Sequence, residues 1–596
     1  MTTYQSRSEV PAHEKWNLAD IYPNLEKWEE DFTRIEQSIA KLKEFDGAIT
    51  NGKTLFAFLK LKEEVSYKLK HLYAYSMLKL DEDTRVTSSQ ALLDRAKALS
   101  VKVNSATSFF MPFLLSLDEI TLKEFIAEVE GLKYFEEDLF DSFRYKPHVL
   151  KKEQEELLSQ LGEALSAPSV TFKMINNADI KFGEVTDKNG NKIPLTRGLY
   201  AKLIEDENRQ KRCEAYKAYY KPYVEAKNTI ASTLSAAIKN NVTLARIRNY
   251  PSALEKALFA DNVPKEVYLN LIEATKQNIA PLHEYIRIRK EKLNLEELRQ
   301  YDLSAPLVSG VKQEIPYEKA YETMLKALAP LGDDYLEILK EFKNSRYIDV
   351  RETPGKRSGA YNLGVYGVHP YILLNYRDDL DSLFTLVHEC GHGVHSKLSS
   401  EYQPQITASY SIFVAEVAST VNEVLLIQYL LNEEKDLKVR KYLLNHFIDL
   451  FKGTFFTQVM FAEFEMKTHE MAERGIPLNV DVFNKTYETL FRDYYGPDIV
   501  FDEEVKYGWA RIPHFYRPFY VYKYATGFAS AIHLATKILE GDKKTLNSYI
   551  KFLKSGSSDY PLELLKKTGV DLTSPVPIEN TLKKFGGLVK EFGSLL

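Results

Sequence analysis

Apolar side chains recur at spacings of three and four, with charges between them, through most of this chain. That period predicts helix. It is plain in LEKWEEDFTRIEQSIAKLKEF (25–45), LFAFLKLKEEVSYKLKHLYAYSMLKL (55–80) and LKKEQEELLSQLGEAL (150–165). Asp81, Glu82 and Asp83 break the second pattern and read as an interhelical loop. Two regions change period. In IKFGEVTDKNGNKIPLT (180–196), short β-prone runs flank Asn189 and Gly190. Such a pair reaches positive φ at low cost, so a β-hairpin is expected, with a helix starting near Thr196. In RSGAYNLGVYGVHPYILLNY (357–376), Gly359, Gly364 and Gly367 interrupt helix and YILLNY suits a strand. Beyond it Leu383, Leu386 and Val387 resume helical spacing after Asp381 or Ser382, either of which can cap, so 382–398 is expected to be helical. SIFVAEVASTVNEVLL (411–426) is expected to be helical too. The fold class is therefore mainly α. The expected organisation is an N-terminal helical region (1–110), a helical subdomain ending in the hairpin (111–195) and a third domain (196–596). No fixed-period repeat supports a solenoid.

The composition narrows the function classes. With 596 residues the chain exceeds one ordinary domain, and 44% hydrophobic with 27% charged residues is a globular balance. A net charge of −5 gives no electrostatic footprint for nucleic acid. The N-terminus, MTTYQSRSEVPAHEKWNLADIYP, carries no apolar core of a secretory signal. The apolar run SFFMPFLLSL (108–117) is too short to span a bilayer. Two cysteines, Cys213 and Cys390, do not make a disulfide framework. The expectation is a reduced, cytoplasmic protein with no membrane or nucleic-acid partner; its oligomeric state is open.

The candidate chemistry sits in HECGHGVHS (388–396). On a helix, His388 and His392 lie four residues apart on one face, where two imidazoles can meet one metal ion. Glu389, beside the first, can take a proton from a metal-bound water as that water attacks a carbonyl. From 12 histidines and 84 acidic residues, roughly 0.03 chance occurrences of this motif are expected in such a chain. The alternative is a polar helix face. A catalytic zinc needs a third protein ligand and an open position. The metzincin pattern fails, because residues 395 and 398 are His and Leu. An acid on the following helix is the better candidate. Glu416 and Glu423 lie seven apart on an otherwise apolar helix, where two carboxylates are costly without a charged partner. Glu416 is assigned as ligand. Glu423 is assigned to accept from a ligand imidazole. His395 reads as a core or supporting residue rather than a fourth ligand, and Cys390 as packing. Downstream, PHFYRPFYVYKYATGF (513–528) clusters His514 with tyrosines 516, 520, 522 and 524. Imidazole or phenol donors can stabilise the oxyanion of amide hydrolysis. The alternative is an aromatic packing segment.

Together, HECGH, EVASTVNE and HFYRPFYVYKYATG resemble the thimet-type (M3) zinc metallopeptidases, nearest their oligoendopeptidase F branch. KWNLADIYPNLEKWEEDF and GKRSGAYN extend the resemblance over nearly the whole chain. It implies a mainly α, two-lobed fold enclosing a deep substrate channel, with a small sheet beside one zinc ion. It implies zinc ligation by His388, His392 and Glu416, general-base action by Glu389, and oxyanion donors at His514, Tyr520 and Tyr524, with Tyr516 and Tyr522 competing for the tyrosine register and expected among the substrate contacts. The glycine-rich strand, with Gly359, Ala360 and Tyr361, would pair with the substrate backbone. The implied activity is hydrolysis of internal bonds in short, unstructured oligopeptides. The alternative is a carboxypeptidase or dipeptidyl carboxypeptidase, for which Arg511 or Arg517 could hold the substrate C-terminus.

Overall fold

The computed structural model describes residues 4–187, 190–311 and 313–596. The described chain is overwhelmingly helical, with three small sheets. It forms two compact units, each assembled from separated segments. Unit 1 comprises residues 1–152, 313–426 and 534–568; unit 2 comprises 153–312, 427–533 and 569–596. The three contiguous segments expected from sequence do not map onto these units.

Unit 1 begins with helices α1 (Leu25–Lys43), α2 (Gly52–Glu82) and α3 (Thr87–Thr107). Asn24 caps α1, and Asn51 with Thr54 forms a capping box on α2, satisfying amides that the first turns leave unpaired. The apolar stripes of these helices meet in one core around Trp28, Leu55, Phe58 and Leu99, which extends to Tyr371 and Leu373. The expected break at 81–83 comes later than read, since α2 continues through Glu82. Asp81 is buried and accepts from the Tyr361 hydroxyl at 2.6 Å and from Arg357 at 3.2 Å, so tertiary partners hold it in the helix. The expected helix at 150–165 is two, Lys152–Gln160 and Gly162–Met174.

In unit 2, the hairpin pairs β1 (Glu184–Thr186) with β2 (Lys192–Pro194), Val185 opposite Ile193. Gly190 has φ +85°, while Asn189 lies outside the described residues. The next helix, Arg197–Leu203, is capped by Thr196.

The sheet that positions the candidate site belongs to unit 1. Its strands are β3 (Ile348–Arg351), β4 (Tyr361–Leu363) and β5 (Tyr371–Tyr376). The order is β3-β5-β4, with β3 parallel to β5 and β4 antiparallel to it, Asn362 opposite Ile372. The glycine-rich region is thus two strands, and β4 is an edge. The loop leading to β4 is held by Lys356. Its fully buried ammonium pairs with Asp349 at 2.7 Å and donates to the carbonyls of Arg351 and Leu374 at 2.7 and 2.6 Å. A buried cation is tolerated only with such saturation.

Against this sheet packs α4 (Leu380–Tyr402), followed by α5 (Ile412–Glu433). The cap of α4 is Asp379, which accepts from the Ser382 amide at 2.8 Å, and not Asp381 or Ser382. Ser382 turns back instead to accept from the Arg377 amide. By length and hydropathy alone α5 could cross a membrane, as could Thr87–Ser116; two-thirds of the apolar window of α5 is buried inside the fold. Unit 2 contributes α6 (Thr457–Glu473) and the start of α7 (Tyr522–Leu539).

Candidate active site

Two glycines of the HECGHG stretch set how closely α4 meets its neighbours. A Cβ on Gly391 would stand 2.7 Å from Ser419 Cα and 2.9 Å from the Ala418 carbonyl oxygen, both backbone atoms of α5. A Cβ on Gly393 would stand 2.5 Å from the Phe342 ring and 3.1 Å from Ile372 of β5. Without side chains at these positions, α4 lies directly on α5 and on the sheet.

That approach brings the expected donors together. His388 and His392 have ring centroids 4.8 Å apart. Glu416 Oε2 lies 3.5 Å from His388 Nε2 and 3.8 Å from His392 Nε2. One donor atom from each of the three residues lies within 4.8 Å of the others. Two neutral-capable imidazoles and a carboxylate at this spacing fit a divalent cation of the zinc type, which takes four ligands. His392 is pushed below the usual imidazole range by burial and by the neighbouring His388, a proton-free state that suits a ligand.

Further titratable residues adjoin the three donors. Glu423, one face-repeat along α5, places Oε1 3.3 Å from His388 Nδ1. An imidazole held this way presents its other nitrogen to a metal. Burial opposes the charge on His388, but Glu423, Glu389 and Glu416 outweigh it and lift the group to about 9. Glu389 is only 8% exposed. Burial, reinforced by Glu416 and Glu423, raises its carboxyl to about 7, while His388 and the Asn362 backbone amide oppose the rise. A carboxyl near neutrality can both accept and return a proton.

His395 is a core residue. Its ring is 1% exposed and stacks on Tyr410 at 3.7 Å, and burial pushes it down to about 3. Cys390 is fully buried and outside the donor group. Two contributors had not been expected from sequence. Tyr410 donates to, or accepts from, Ser396 Oγ at 2.9 Å and reaches the His392 carbonyl at 3.5 Å. Asn362 supplies the amide on Glu389, so β4 touches the general-base candidate directly. Of the expected strand contacts, Tyr361 opens β4, and Gly359 (φ +85°) and Ala360 precede it. The Tyr361 hydroxyl is committed to Asp81.

The downstream aromatic group lies in unit 2. His514 stacks nearly parallel to Tyr520, and Tyr524 stands edge-on to both, with centroid distances of 6.1, 6.1 and 5.4 Å. Burial and Arg517 hold the His514 imidazole below its usual range. Tyr516 is engaged elsewhere: it stacks on Phe172 at 4.3 Å and shares a 2.7 Å hydrogen bond with Thr233. Tyr522, expected among the substrate contacts, is instead 0% exposed and packed on Tyr268, with ring centroids 5.0 Å apart. Arg511 is not a free cation either. It donates to the Tyr220 hydroxyl and is enclosed by tyrosines. Arg517 lies over the Tyr520 ring at 4.0 Å.

Residues 202–584 match the family described as Peptidase family M3, and residues 114–182 match Oligopeptidase F. The chain belongs to peptidase family M3. It is 44% identical over 591 residues to Oligopeptidase PepF of Bacillus subtilis, covering 99% of this chain and 88% of that one. It is 38% identical to the plasmid oligoendopeptidase F of Lactococcus lactis subsp. cremoris, covering 99% of each. Among solved structures it is similar to the oligoendopeptidase-F of Enterococcus faecium, with a TM-score of 0.76 and 36% identity over 96% of this chain and 99% of that one. As an M3 peptidase the chain is an enzyme, a metallopeptidase, and its donor group of two histidines and a glutamate is of the kind that chemistry requires.

Proposed function

We propose that this M3 peptidase is an endopeptidase that cuts internal bonds of short, unstructured oligopeptides in the cytoplasm, with one zinc ion per chain. The names of its relatives, oligopeptidase and oligoendopeptidase, support the substrate class. Cys213 and Cys390 are not joined in a disulfide, which is consistent with the location. One observation carries the mechanism: the buried Glu389 adjoins three donors clustered within 4.8 Å.

In this reading His388, His392 and Glu416 hold zinc, which when bound acidifies water and polarises a carbonyl. Glu389 takes the proton of the attacking water and returns it to the leaving amine. Glu423 fixes the ring orientation of His388. The edge strand β4, with Gly359 and Ala360 before it, is assigned to pair with the backbone of an extended peptide. His514, Tyr520 and Tyr524 are assigned as donors to the developing oxyanion, on the family resemblance and on their clustering.

The test is mass spectrometry of peptides from about five residues up to an unfolded protein, with and without chelator. Internal cuts in short peptides, lost on chelation and restored by zinc, are expected. Cuts confined to C-terminal residues, and absent from C-terminally amidated peptides, would instead establish the carboxypeptidase.

A further inference from the structure

Unit 1 contains a cavity of about 600 Å³ that shares a wall with the candidate active site. Asn362 and Leu363 of β4 and Gly364 just beyond it line it, together with Ser396 and Tyr410. These same groups are bonded to one another: Asn362 Nδ2 donates to Ser396 Oγ at 2.9 Å, and Ser396 bonds Tyr410. The cavity is therefore continuous with the strand whose backbone touches Glu389. Its opposite wall is built by α2 and α3, through Tyr67, Tyr73 and Val103.

The chemistry of the walls is selective. Tyr67, Tyr73, Tyr366 and Tyr410 supply rings, and Leu363 and Val103 supply aliphatic surface. Tyr67 meets Tyr366 edge-to-face at 6.2 Å. The loop after β4 is pinned there by close contact. A Cβ on Gly364 would stand 3.0 Å from Ser396 Cβ, and Gly367 (φ +79°) lies against the Tyr67 hydroxyl. No carboxylate lines the cavity among the described residues. Its one cationic side chain there is the exposed Lys70, at the rim, which among the described residues has no acidic partner within ion-pair distance. His71 is held below its usual range by burial and is uncharged near neutrality.

We propose that this cavity is a specificity pocket for a bulky uncharged side chain, aromatic or branched aliphatic, of a peptide whose backbone lies along β4. The proposal rests on the reading of β4 as the substrate strand. A ring or isobutyl group gains the apolar walls of the cavity. A lysine or arginine side chain meets Lys70 and finds no carboxylate, so the pocket disfavours it.

The experiment uses the zinc-loaded full chain and quenched alanine-rich octapeptides in which one Phe is moved along the sequence, then replaced by Ala or Lys. Two pocket-filling variants, Ser100→Trp and Asn104→Trp, enter from α3, on half-buried and exposed positions that tolerate replacement; their Tm verifies folding. In the wild type, Phe at one flanking position should raise kcat/KM roughly 10–100-fold over Ala, with Lys no better than Ala. In both variants the Phe-to-Ala ratio should fall below about threefold. A wild-type protein without that preference, or variants that keep the full ratio, would overturn the pocket assignment while leaving the endopeptidase reading standing. No cleavage of any peptide would overturn both.

Discussion

Replacing Gly391 by Ala tests how the three candidate metal donors are brought together. Two effects oppose each other. Alanine is the better helix former by about 1 kcal/mol in a helix interior. Against this, the new Cβ would sit 2.7 Å from Ser419 Cα, 2.9 Å from the Ala418 oxygen and 3.0 Å from the Ser419 nitrogen. These are backbone atoms of a buried helix, and no rotamer change can move them. Reaching an ordinary carbon–carbon separation of about 3.5–4.0 Å requires α4 and α5 to part by about 1 Å. Overpacking of this kind costs about 1–3 kcal/mol. The steric effect should win, giving a net destabilisation of about 1 kcal/mol. Because Glu416 lies one turn from Ser419, the same separation draws it from the two histidines. Denaturant unfolding should show the loss, and competition with a chromophoric chelator should show zinc affinity reduced by about tenfold or more. Gly453→Ala is the control. A methyl added to that helical glycine would meet nothing within 4 Å, so the change should be neutral or stabilising by up to about 1 kcal/mol. A Gly391→Ala protein that is more stable than wild type and binds zinc normally would refute the close-approach argument.

Other substitutions probe separate parts of the molecule. Glu423→Gln removes the charge facing His388 Nδ1 and should lower zinc affinity on the order of 10–100-fold, read by the same competition assay; wild-type affinity would reduce Glu423 to a neighbour. Lys356→Met breaks the buried pair with Asp349 and should destabilise by about 3–5 kcal/mol, seen as a lower denaturation midpoint; an unchanged midpoint would contradict the role given to this lysine. Glu465 of α6 bonds the Phe519 amide at 3.1 Å, and burial raises its carboxyl well above the usual range. The folded state therefore keeps a proton that the unfolded state releases above about pH 4.3. Stability from this group is fully present below that value and falls as pH rises toward the folded value, by at most about 1.4 kcal/mol per pH unit. Glu465→Gln should flatten this part of the stability–pH profile, and an unaltered slope would show the carboxyl to be ionised in the fold.

The face-sharing of the candidate donors within each helix was legible because helix period alone sets it. His388 and His392 at four, and Glu416 and Glu423 at seven, must share faces once each segment is helical. YILLNY was legible for the same local reason, since its β-branched and aromatic run coincides with β5. What was not legible depends on contacts distant in sequence. Asp379 takes the cap from Asp381 and Ser382 because the chain turns at Asp378, which has φ +58°. Gly391 reads as a helix defect until α5 is placed against it. The amide of Asn362 reaches Glu389 only through the sheet, and Tyr410 reaches the site through its stack on His395 and its hydroxyl contacts with Ser396 and the His392 carbonyl. Four tyrosines within nine residues carry no local mark that sends Tyr522 inward while Tyr520 and Tyr524 gather round His514.

The central claim is that His388, His392 and Glu416 hold zinc while Glu389 moves the proton. It is tested most directly by measuring metal content and turnover together in the wild type and in Glu389→Gln. One zinc per chain in both, with turnover of a quenched oligopeptide lost in the variant alone, is the predicted result. Wild-type turnover by Glu389→Gln would contradict it.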